Sequence, residues 1–249
     1  MKETSRLATW GARLGLLALA VLIIAIASNH LGILGYKLPL YGIAAAALLG
    51  VLAILVSFGG LLMGLRRRAG AGAAVAGFIL GILAAGPLAS TLVLGKGVPR
   101  IHDITTDLAN PPQFDMVVGL REGAPNALDR ATPPDLAEQQ MKAYPDLATL
   151  DVAQQPGKVF EIARVTAKEM GWTIDSSEPE KGLIEATVTT KLIGFKDDVA
   201  IRVTEKGEGA AVDLRSVSRV GVSDLGANAN RIRAYLIALK KNLAAPAAY

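Results

Sequence analysis

Three long runs of apolar residues, at positions 14–34, 40–65 and 71–94, contain no Asp, Glu, Lys or Arg. Few folds accommodate them. Each run has about 20 residues or more, which as an α-helix crosses roughly 30 Å of hydrocarbon. Lipid offers a peptide group no hydrogen-bond partner, and a helix satisfies its own. The sequence therefore predicts three membrane-spanning helices, with Pro87 inside the third. Glycines recur four apart at Gly11 and Gly15, Gly60 and Gly64, and Gly77 and Gly81, a spacing that lets helix backbones approach closely. Spans without ionisable groups do not suit an ion-coupled transporter or a proton relay. They read as an anchor in the lipid bilayer.

Charge gives the anchor an expected direction. Of 26 Lys/Arg and 22 Asp/Glu, residues 1–94 hold Lys2, Arg6, Arg13, Lys37, Arg66, Arg67 and Arg68 but only one acid, Glu3, so this part carries +6 and the rest −2. A basic chain ordinarily suggests nucleic acid as a partner. Here the excess lies wholly in the apolar part, which excludes that reading. Lys and Arg collect on the cytoplasmic side of a membrane. The N-terminal tail and the Arg66–Arg68 loop are thus expected inside, and everything after residue 94 outside the cytoplasm, on the periplasmic side of an inner membrane. Ala25-Ile26-Ala27 resembles a signal-peptidase site, and cleavage after Ala27 would leave that direction unchanged. The chain has no cysteine, which excludes disulfide scaffolds, thiolate metal sites and cysteine nucleophiles.

The remainder divides in two. Residues 95–153 are interrupted by Pro99, Pro111, Pro112, Pro125, Pro133, Pro134 and Pro145 and are expected as an irregular arm, packed on the domain because Ile101, Ile104, Leu108, Phe114 and Met116 would otherwise be exposed. Residues 154–249 are regular. Val159, Phe160, Ile162, Ala163 and Val165 form a helical stripe ended by Gly171. Trp172 to Ile174 reads as a short strand, with Trp172 in the core. Period-two alternation over residues 182–192, 198–204 and 211–220 marks further strands, joined by turns into antiparallel hairpins. Residues 225–243 read as a second amphipathic helix. The expected fold is a membrane α-helical part (1–94) followed by an α+β domain, a meander of about four strands with two helices on one face. Glu185, Arg202, Asp213, Arg215 and Arg219 would then form the opposite face, expected to be solvated and weakly ion-paired.

The segments IHDITTD at 101–107, FKDDVAIRV at 195–203 and VDLRSVSRVGVSDLGANANRIR at 212–233 resemble the bacterial and plastid family catalogued as domain of unknown function 1499. The resemblance covers most of residues 97–243. Members are often tethered by N-terminal apolar segments, and the resemblance brings no activity, substrate or catalytic residue.

Two clusters could carry chemistry. Arg215, Arg219, Ser223, Asp224 and Asn228 run from a strand into the start of the last helix, where free N–H groups beside arginines could hold a phosphate or carboxylate. The alternative is internal: Ser223 or Asp224 caps the helix and the arginines pair with acids. His102 and Asp103, with Asp107, Asp197 and Asp198, offer imidazole and carboxylates for a divalent metal or for acid–base work, although their spacing matches no metal signature and Asp197-Asp198 sits at a hairpin turn. No G-x-S-x-G elbow, phosphate loop or dinucleotide fingerprint is present, and no cofactor is implied. The expected function is a membrane-tethered binding module of the cell envelope, docking an envelope protein or a small ligand. A metal-assisted hydrolase using His102 and the aspartates, and a lipid or small-ligand binder opening between the two helices, stay open beside it; an enzyme is the less favoured class.

Overall fold

The computed structural model describes residues 6–67 and 71–245. Lys2, Glu3 and Arg68 lie outside the described residues, as do the last four. The chain forms two compact units, one of Met1–Lys96 with Leu192–Gly194, the other of Gly97–Lys191 with Phe195–Tyr249.

The first unit holds α1 (Arg6–His30), α2 (Lys37–Arg67) and α3 (Ala71–Leu94), each long and apolar enough to cross a membrane. Pro87 lies within α3. The glycines mark helix crossings. A Cβ on Gly60 would sit 2.7 Å from the Ala8 nitrogen, and one on Gly77 2.6 Å from the Ala12 nitrogen. A Cβ on Gly50 would meet the Gly81 carbonyl at 2.7 Å. Backbones this close tolerate no side chain, which is how small residues hold helices together where lipid supplies no hydrophobic drive between them.

The second unit is α+β, with six strands where the periodicity suggested about four. The extra pair, β1 (Asp103–Thr105) and β2 (Leu150–Val152), are three residues each and lie in the proline-interrupted segment. That length is too short for a period-two signal. After α4 (Leu136–Ala143) and β2 comes α5 (Pro156–Glu169). It starts with proline at the first turn, where no N–H is needed, and ends at Gly171, whose φ of 79° lets the Trp172 N–H turn back to the Ala167 carbonyl. Then follow β3 (Thr173–Glu178), β4 (Leu183–Thr189), β5 (Lys196–Lys206), β6 (Gly209–Ser218) and α6 (Ala227–Ala244). The sheet order is β1-β6-β5-β4-β3, β2 also pairs with β6, and every pairing is antiparallel.

One sheet face packs against α5 and α6. Register places Ile184, Ile201 and Leu214 side by side, and with Val159, Phe160, Ala163, Ile232 and Leu239 they form the core. Trp172 stacks on Tyr235 at 5.0 Å, and the Tyr235 hydroxyl donates to the Ala163 carbonyl.

The other face is not solvated, contrary to the expectation for the charged residues. Glu185, Asp213 and Arg215 are at most 4% exposed, and every residue of β6 is buried. Residues 103–135 cover them. The alternation of residue type along the strands is real, but it separates two buried layers, one apolar and one ionic.

Candidate functional site

The ionic layer is built from strand residues below and loop residues above. Asp103 on β1 and Asp198 on β5 both register with Val217 of β6, one on each side. Each aspartate receives two guanidinium groups. Asp103 accepts from Arg215 (2.7 and 3.1 Å) and from Arg130. Asp198 accepts from Arg219 (2.7 Å) and from Arg121. Arg121 closes a 3₁₀ turn, Met116–Arg121, and its second amino group donates to the Asn126 carbonyl. Asn126 in turn donates to the carbonyls of Ser218 and Gly221. The arm is thereby pinned to the end of β6.

Two further contacts complete the layer. Arg202 bridges Asp107 and Asp213, both at 2.9 Å. Glu185 accepts the backbone N–H groups of Asp115 and Met116 at 2.7 Å, orienting the start of the 3₁₀ turn. Arg215 also lies over the Phe114 ring, 5.1 Å from its centre, and donates to the Leu128 carbonyl. Burying so many charges is tolerable only because each has a close opposite charge or several hydrogen bonds.

The first candidate cluster is accordingly divided. Arg215 and Arg219 serve the two aspartates. Asp224 accepts the N–H groups of Gly226 and Asn228 at 2.9 Å, satisfying the start of α6. Ser223 accepts the Leu225 N–H and donates to the Pro99 carbonyl. Asn228 is fully buried and joins Ser216, Ser218 and the His102 carbonyl. These five residues act as a frame, each with an internal partner.

The second cluster is scattered. Asp103 and Asp198 flank Val217 and so stand two strand spacings, roughly 10 Å, apart. Asp197 follows the strand alternation onto the face opposite Asp198, where Arg231 donates to it at 2.5 Å. Among the described residues no three His, Asp or Glu side chains come close enough to share a metal ion. The geometry gives the hydrolase reading no assembled centre.

What the layer leaves open is a pocket of about 280 Å³ at its edge, lined by His102, Asp103, Arg130, Pro125, Ala127 and Val222 among others. Five buried polar side-chain atoms of the described residues lack a hydrogen-bond partner, and two belong to this lining: His102 Nδ1 and Arg130 Nη2. Burial holds the His102 pKa below its ordinary value, against the opposing pull of Asp103 and Asp224 and of a hydrogen bond to the Val222 backbone. Burial also lowers the Arg130 pKa against the pull of Asp103. A second hollow of about 230 Å³ involves Asp175, Thr187, Lys196 and Arg219, but Thr187 already donates to Asp175 at 2.7 Å and receives a bond from Arg219. Between α5 and α6 lies a surface groove of about 260 Å³, and the apolar core packs between these helices and the sheet.

A family model described as protein of unknown function, DUF1499, matches residues 103–239, more than half of the chain. The chain belongs to the DUF1499 family. No curated protein sequence matches it. The DUF1499 match begins at the first residue of β1 and ends within α6. It spans the six strands, the ionic layer and, His102 excepted, the pocket lining, and it leaves out the three apolar helices.

Sequence reasoning missed Arg121 and Arg130. Both sit in the proline-interrupted segment, 77 and 27 residues from their aspartate partners, so no local pattern exposes them. The available signal was the row of charges on one strand face, which needs cover if it is not to meet water.

Proposed function

We propose that this DUF1499 protein is a membrane-anchored binding module whose second unit lies outside the cytoplasm, in the cell envelope, and works by holding a ligand or partner rather than by turning it over. One observation carries the role: the pocket at the edge of the ionic layer is bordered by a guanidinium and an imidazole that each have an unpaired buried atom, while Asp103 in its wall is committed to Arg130 and Arg215. Fixed polar groups beside a small pocket suit recognition. The clustering of Arg66, Arg67 and Arg68 on one side and Lys37 on the other supports the direction.

Alkaline phosphatase fused after Tyr249 should be active in intact cells, and a green fluorescent protein fused there should be dark. The reverse pattern removes the envelope assignment. Photo-crosslinkers placed at Ala127 and Val222 test the role: a specific adduct in cells is expected, and a purified protein that converts a substrate without one contradicts it.

A further inference from the structure

We infer that the hollow of about 230 Å³ at the other end of the ionic layer takes a small aminoalkyl phosphate, a primary ammonium joined to a phosphate by a short chain. This hollow is separate from the pocket beside His102, and its ligand goes beyond the role given to that pocket. Strand register builds it. Thr187 pairs with Thr173 on one side and Asp198 on the other, and Thr189 pairs with Lys196. Paired residues, and residues two apart, share a face, so Thr173, Thr187, Thr189 and Lys196 all stand on the ionic face, beside Asp198 and the Arg219 that holds it. The β3 register shifts between Ile174 and Ser176. A bulge re-aims the residue it holds, and the Asp175 carboxylate accepts from the Thr187 hydroxyl at 2.7 Å.

The charges around the hollow do not cancel. Asp198 is shared by Arg121 and Arg219. Lys196 is exposed, and among the described residues its ammonium has no ion-pair or hydrogen-bond partner. Asp175 accepts from Thr187 and has no cation beside it. Three positive charges therefore face two negative ones. The two without a counter-ion, Lys196 and Asp175, have opposite signs and stand on β5 and β3, two strand spacings or roughly 10 Å apart. A ligand with a cation at one end and an anion at the other complements both. The donors decide the anion. Of its five N–H groups, Arg219 spends four on Asp198, Thr187 and the Leu120 carbonyl, and the one left, on Nη1, is at the exposed side. That N–H, the Lys196 ammonium and the Thr189 hydroxyl come from three segments of chain, and suit the three free oxygens of a phosphate better than a flat carboxylate. A phosphate monoester carries about −1.5 to −2 charges at neutral pH, so with its ammonium the ligand brings roughly the single negative charge that the hollow lacks.

The test is titration calorimetry on the full chain in nonionic detergent micelles, with phosphoethanolamine, ethanolamine and inorganic phosphate as probes. Saturable phosphoethanolamine binding is expected, with ethanolamine and phosphate each at least about ten-fold weaker. Lys196→Gln removes an ammonium that supports no contact within the fold, and should weaken phosphoethanolamine at least about ten-fold at an unchanged thermal midpoint. Asp175→Asn keeps an acceptor for Thr187 and should bring phosphoethanolamine down to the affinity of phosphate. Glycerophosphoethanolamine tells two sources apart: equal binding assigns a lipid headgroup, weaker binding a free amino phosphate, and both uphold the inference. No phosphoethanolamine binding, phosphate or ethanolamine bound as tightly, or an affinity unchanged in Lys196→Gln or Asp175→Asn each overturns it. These failures leave the fusion and crosslinking results standing, because those report on direction and on the pocket beside His102.

Discussion

Asp198 shows what a single residue does in the ionic layer. Its side chain is fully buried and accepts from Arg121 and Arg219, so it neutralises charge that the sheet cannot shed to water. Replacing both partners of such a pair by apolar groups is often harmless, but removing one strands the other. Asp198→Ala should therefore cost about 3–5 kcal/mol of unfolding free energy. Denaturant unfolding followed by Trp172 fluorescence, in a Trp10→Phe background, measures it; a loss under about 1 kcal/mol would mean that the arginines find water when the aspartate is gone. Arg121 ties the same aspartate to the covering segment and donates to the Asn126 carbonyl there, so the effect should extend to the arm, seen as faster amide exchange over residues 116–126.

At the scale of elements, two places are sensitive for different reasons. Where α1 meets α3, a Cβ at Gly77 would press on the backbone at Gly11 and Ala12. Gly77→Leu should lower the unfolding free energy of the helical unit by about 1–3 kcal/mol, the usual cost of overpacking, read as a drop in thermal midpoint in micelles, whereas Gly72→Leu, where a Cβ meets nothing within 4 Å, should not. At the start of α6, burial raises the Asp224 pKa above 3.8, partly offset by the N–H groups of Asn228 and Gly226. The folded chain then keeps a proton that the unfolded chain has lost, so this residue's contribution is greatest below the unfolded pKa and falls as pH rises through the folded value. Asp224→Asn keeps an acceptor and has no charge. Its stability relative to wild type should improve as pH rises from about 4 to 7, and a difference independent of pH would refute the assignment. Asp224→Ala should cost about 1 kcal/mol near pH 4 through the lost cap, and that cost should shrink as pH rises, because alanine too lacks the titrating group.

At the scale of the molecule, the apolar core beneath α5 and α6 and the ionic layer both lie wholly within the second unit. With about 150 residues, such a unit buries enough surface to fold alone, so a chain starting at Gly97 should unfold in one cooperative transition by circular dichroism. A gradual melt would mean that it depends on the helices. Much of this organisation was legible beforehand. The three apolar helices, the two amphipathic helices α5 and α6, and strands β3 to β6 follow from local periodicity, because a helix or strand with a buried apolar face writes its own repeat into the sequence. What lies on the charged face was not legible. Asp103 meets Arg215 across 112 positions and Arg121 meets Asp198 across 77, and no periodic signal joins residues that far apart. The sequence by itself determined where the chain meets lipid and which residues alternate along each strand. Only the tertiary structure decided that the arm closes over the charged face, because a buried carboxylate is set by whichever arginine the fold brings to it.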